Sequence, residues 1–88
     1  MTRIKFRKNY QRKFLDLVIG NLNSPSLSKL RQFGIKINYQ TLKSYYHENR
    51  TLPEDLFNDL CVLAKIDAKS LKVIYLKDSW GQKLGGKN

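Results

Sequence analysis

The stretch "NYQTLKSYYHENRTLP", residues 38–53, carries the side chains best suited to reading another molecule. Gln40, Lys43, Ser44 and His47 recur at i, i+3, i+4 and i+7, so on a helix they share one face. A glutamine amide pairs bidentately with an adenine edge, a lysine reaches guanine, and a serine hydroxyl suits either. A solvated helix face has the same make-up, so the stripe does not decide the matter alone. Catalysis finds less support. His47 is the only histidine and Cys61 the only cysteine. One of each builds no zinc site and no intrachain disulfide, and His47 has no nameable activating partner. Glu54, Asp55 and Asp59 gather at a helix start, where the helix dipole accounts for carboxylates. The reading is therefore a protein without enzymatic activity, metal or cofactor.

Those four residues need a helix that is held from behind. Asn38 is a suitable N-cap, and Tyr39, Leu42, Tyr45 and Tyr46 fall on the opposite side as a packing face. Upstream, "FRKNYQRKFLDLVIGN" sets Phe6, Tyr10, Phe14, Leu17 and Val18 on one stripe, with Gly20 and Asn21 as its end. Ser24 or Ser26 can cap a second helix bearing Leu27, Leu30 and Phe33, which Gly34 stops. "IKIN" links it to the helix at 38–47, with Ile35 and Ile37 pointing inward. Pro53 opens a last helix whose apolar face is Leu56, Phe57, Leu60, Cys61, Leu63 and Ala64. "LKVIYL" leaves room for a short C-terminal strand. The expected fold is mainly all-α: four to five short helices with a helix-turn-helix.

Charge points to the partner. The 88 residues carry a net charge of +10. Residues 1–20 hold six cations against one acid, residues 21–50 five against one, and residues 51–88 six against five. A polyanion that releases counterions on binding is the expected partner, placed against the first 50 residues. Lys29, Arg31, Lys36 and Arg50 flank the 38–47 helix and can grip phosphates, as can Tyr39 and Thr41 at its start. Arg3 and Lys5 belong to a basic arm over residues 1–7, of the kind that follows a DNA backbone or enters a minor groove. The domain proper is expected over 8–78, and "WGQKLGGKN" suggests a flexible Gly/Lys tail over 79–88, with Trp80 an anchor or a link. The tyrosines could also stack on bases, as in single-strand binders, although helical spacing favours packing for Tyr45. No apolar run approaches the roughly 20 residues of a membrane span, and no signal-peptide core follows the basic start. With a single cysteine, the expectation is a reduced, cytoplasmic protein without a small-molecule substrate.

Ser26-Leu27, Leu30 and Phe33-Gly34-Ile35, then Asn38, Leu42 and Tyr45, then Arg50, Pro53, Leu56, Leu60 and Leu63-Ala64 resemble the Cro/repressor type of helix-turn-helix domain. The resemblance covers about residues 8–67 and makes 38–47 the recognition helix. "YYHENRTLPEDLFNDLCVLAKID" with "WGQKLGGK" is also similar, more loosely, to the helix-turn-helix segment of archaeal LAGLIDADG homing endonuclease-like proteins. Both imply binding of double-stranded DNA, by a transcriptional regulator or by a DNA-targeting module. Neither implies cleavage here, because "FLDLVIGN" has Asn21 where the endonuclease motif has its acid. A helical module that binds RNA or docks on a protein is the alternative, and a homodimer is compatible with any of these.

Overall fold

The computed structural model describes residues 2–77. The chain begins in a strand, β1 (Thr2–Phe6), followed by α1 (Tyr10–Leu22), a 3-10 helix (Ser28–Phe33) and α2 (Tyr39–Tyr46). A two-residue strand β2 (Leu52–Pro53), α3 (Glu54–Ala64), a 3-10 turn (Ala68–Ser70) and β3 (Val73–Lys77) complete the order. β1 is the middle strand of an antiparallel sheet ordered β2-β1-β3. The mainly all-α expectation is therefore corrected to a mixed fold, helices against a three-stranded sheet. Only the C-terminal strand was anticipated.

The basic arm over residues 1–7 is corrected with it. In "TRIKF" the apolar residues alternate with cations, the period of a strand with one face in a core. Ile4 lies fully buried, opposite Leu52 on one side and Tyr75 on the other. Phe6, expected on the first helix, stands in the strand and packs on Phe14 and Phe57, with centroids 5.3 and 5.9 Å away. Fully burying a side chain such as Phe57 or Ile4 contributes about 1.5–3 kcal/mol.

α1 turns a different face inward from the one its aromatic spacing suggests. Gln11, Phe14, Leu15 and Val18 are buried, whereas Tyr10 and Leu17 are each 46% exposed. The helix also runs through Gly20 and Asn21 and ends at Asn23. That residue adopts φ 54°, and Ser24 N–H bonds back to Ile19, an αL ending in which asparagine takes the usual place of glycine. The second helix is a 3-10 segment with only Leu30 fully inside, and Gly34 stops it at φ 97° as expected. Ile35 is buried and Ile37 packs on the core. α3 buries Leu56, Phe57, Leu60, Cys61 and Ala64, but Leu63 faces out. The Asn21 amide ties its last turn to α1 by donating to the Ala64 carbonyl at 3.0 Å. Among the described residues no helix is long and apolar enough to cross a membrane. The tail expected over 79–88, with Trp80, lies outside the described residues.

Candidate nucleic-acid interface

α2 is short and would not hold its shape alone, since isolated helices of this length are marginal in water. Its neighbours hold it. Asn38 caps it, accepting the Thr41 N–H at 2.8 Å. Leu42 and Tyr45 are buried beneath it. The Tyr46 hydroxyl donates to the Asp16 carboxylate at 2.9 Å, and the Arg12 guanidinium lies 6.0 Å from the same ring. The hydrogen bond to Asp16 raises the Tyr46 pKa, with burial and the Asp16 charge acting in the same sense against Arg12. The Gln11 amide donates at 2.7 Å to each of two carbonyls, Tyr45 and Arg50, at the far end of the helix.

With that side fixed, Gln40, Lys43 and His47 stand exposed and Ser44 is half-buried. The structure thus brings the four sequence-predicted base-reading residues to one side, with Ser44 the least accessible. Tyr39 leaves the packing face expected for it: 44% of its surface is exposed and the Lys43 ammonium lies 5.5 Å from its ring. The His47 and Tyr46 rings stand nearly perpendicular, 5.6 Å apart between centroids. Among the described residues no three His, Cys, Asp or Glu side chains gather as a metal site requires. The lone thiol, Cys61, is buried, and burial followed by the Asp67 charge pushes its pKa up, away from a reactive thiolate.

Cations stand at both ends of α2. At its start Arg31 and Lys36 line a shallow depression together with Gln32 and Asn38. At its finish Lys5, Arg7 and Arg50 line another, with Gln11, Asn49 and the acid Glu48. Arg31, Lys36, Lys5 and Arg50 were expected as phosphate contacts, and the fold gathers them in pairs. Lys29 is exposed on the 3-10 helix and lines neither depression. Two of the expected contacts are occupied within the chain. The Arg3 guanidinium donates to the Thr51 carbonyl at 3.2 Å, pinning β2 to β1. The Thr41 N–H belongs to the Asn38 cap, and its side chain is half-buried. Arg7 belongs to the basic arm expected over residues 1–7, and it lines the depression at the finish of α2 with Arg50, where the chain leaves β1.

Acids stand near some of these cations: Glu48 shares the lining at the finish of α2, and Asp55 and Asp59 line a neighbouring depression with Lys36. The Glu48 carboxylate accepts the N–H groups of Asn9 and Arg12 at 2.9 and 3.1 Å, Asp67 accepts that of Lys69, and Asp16 accepts Tyr46. Glu54 and Asp55 occupy the first turn of α3. Cations still outnumber acids in the two depressions beside the exposed helix, three to one at its finish and two to none at its start, and a surface of that balance attracts anionic polymers. Compared with protein-family models, curated proteins and solved structures, the chain has no match.

Proposed function

We propose that this chain binds double-stranded DNA by presenting α2 to the major groove, as a transcriptional regulator or a DNA-targeting module of the helix-turn-helix kind. Gln40, Lys43 and His47 contact base edges, with Ser44 behind them. Arg31 and Lys36 at one end, and Lys5, Arg7 and Arg50 at the other, hold phosphates. No catalytic step and no cofactor enter this reading, and it goes with a cytoplasmic location.

The observation that supports it is the pair of depressions at the two ends of the exposed helix, each with more cations than acids in its lining. An eight-residue helix is about 12 Å long, and the major groove of B-DNA is about 12 Å wide. Cations just beyond both helix ends are then within reach of the phosphate rails on either side. The major groove of an RNA duplex is too deep and narrow to admit such a helix.

Fluorescence anisotropy tests the proposal, with a random-sequence DNA duplex and an RNA of equal length over a range of salt. The duplex should bind with a steep salt slope. Arg31→Ala and Arg50→Ala should each lower that slope by about one. Gln40→Ala/Lys43→Ala should weaken a selected target by about 1–3 kcal/mol per lost base contact. Duplex binding that is absent at low salt, or equal in the double variant on its best target, ends the assignment of α2. Tighter binding to the RNA hands the surface to that partner instead.

A further inference from the structure

An apolar depression also lies away from α2. It lies where α1 meets the start of β3, with a volume of about 430 Å³, in the range of sites that hold small ligands or anchoring side chains. Phe6, Tyr10, Phe14, Leu17 and Leu71 line it, and so do the cations Arg7, Lys13 and Lys72; no acid does. Tyr10, Lys13, Phe14 and Leu17 follow i, i+3, i+4 and i+7 along α1, one continuous stripe. Arg12 and Asp16, which touch Tyr46 of α2, occupy the other flank of the same helix. The groove therefore opens on the side of α1 turned away from α2.

We infer that this groove docks an acidic amphipathic peptide segment of a partner protein. Leucine or phenylalanine anchors enter between Leu17 and Leu71, and carboxylates face Arg7, Lys13 and Lys72. The half-exposed Leu17 and Tyr10 supply apolar surface that water wets unfavourably. The surrounding charge selects the occupant. A second copy of this chain brings another +10. The chain's own residues 78–88 carry Asp78 against Lys83 and Lys87, so they too bring net positive charge to a positive wall. A stacked nucleobase suits the groove poorly, because the Tyr10 ring already holds the Arg7 guanidinium at 5.1 Å and the Lys13 ammonium at 4.9 Å. An acidic helix with apolar anchors meets both the floor and the cations. Docking there leaves Gln40, Lys43 and His47 uncovered, so the surface stands whether or not α2 binds DNA.

The test is fluorescence anisotropy of a labelled Glu-rich helical peptide with leucine and phenylalanine at i, i+3, i+4 and i+7, against the full chain. A second peptide has every anchor replaced by alanine at the same charge. The first should bind and the second should not. Leu17→Glu and Lys13→Glu, both at exposed positions and checked for folding by circular dichroism, should each weaken binding about tenfold or more. Gln40→Ala/Lys43→Ala should leave it unchanged. Equal binding of the alanine peptide, or a Leu17→Glu variant as good as the wild type, overturns the inference. So does displacement of the peptide by single-stranded DNA through a Leu17-dependent site, which would give the groove to nucleic acid.

Discussion

The side-chain amide of Gln11 reaches the Tyr45 carbonyl at 2.7 Å from within α1, and the same nitrogen serves Arg50. The amide N–H groups of a glutamine only 5% exposed on the inward face of a helix thereby both find acceptors. Gln11 joins the end of α2 to the segment that leads into β2. Gln11→Leu keeps the bulk and removes both donors. Leaving buried carbonyls unpaired costs about 1–3 kcal/mol, and urea denaturation should show a loss of that size. An unchanged midpoint would mean that water reaches both carbonyls.

Glu48 does for α1 what the local N-cap does not. Asn9 sits at φ 73° and makes no side-chain cap hydrogen bond. The Glu48 carboxylate takes the N–H groups of Asn9 and Arg12 from across the fold. Losing a cap of this kind costs about 1 kcal/mol, and a carboxylate at a helix start adds a few tenths through the dipole. Glu48→Ala should lower stability by about that total. Glu48→Gln should fall between the two, since it keeps an acceptor and loses the charge. Equal stability of all three proteins contradicts the capping role.

The position of β1 separates two pictures of the N-terminus. A DNA-binding arm can be removed with loss of affinity alone. Removing the middle strand takes away Ile4, which is fully buried, and the pairing of both β2 and β3. Deletion of residues 1–6 should therefore abolish the cooperative thermal transition. Ile4→Ala should cost about 2–5 kcal/mol while leaving the surface charge as it was. A deletion variant that still melts cooperatively near the wild-type temperature rules out this placement.

The link from Tyr46 to Asp16 should be visible in alkali. The folded state raises the tyrosine pKa, first through the hydrogen bond to Asp16. Folding therefore favours the protonated phenol. The stability this contributes is complete below the unfolded tyrosine pKa of about 10 and is lost as pH rises through the higher folded value. Ultraviolet difference titration of the wild type minus Tyr46→Phe should isolate one late-ionising tyrosine. Asp16→Ala should bring that ionisation to lower pH. If the late tyrosine is still late in Asp16→Ala, the carboxylate is not its cause.

How much of this was readable follows from how local each signal is. The Asn38 cap and the Gly34 stop each depend on a few adjacent residues and appear where the sequence places them, whereas Pro53, expected in the first turn of the last helix, lies in β2 just before α3 starts at Glu54. The outward turn of Gln40, Lys43 and His47 follows from helical period once Leu42 and Tyr45 go inside. β1 was hidden because its five residues look like an arm until β2 and β3 arrive from far along the chain. The inward face of α1 was misread because Phe6 and Tyr10 extend an aromatic spacing, while the residue that turns inward is polar Gln11. At the interface, the charges were countable but their company was not. Arg3 is committed to Thr51, and Lys5 and Arg7 line one depression with Arg50, because strand pairing brings the two segments together.

Residues 2–6, the middle strand, are made before either of their neighbours. The nascent chain carries β1 as an open strand until Leu52–Pro53 and then Val73–Lys77 are synthesised. During that interval both edges are open to mispairing with other chains, the situation in which cationic side chains on a strand deter edge-to-edge association. Arg3 and Lys5, alternating with the apolar positions, put on that strand the kind of charge that opposes such association, and in the folded chain Arg3 pins the start of β2 while Lys5 joins the basic surface.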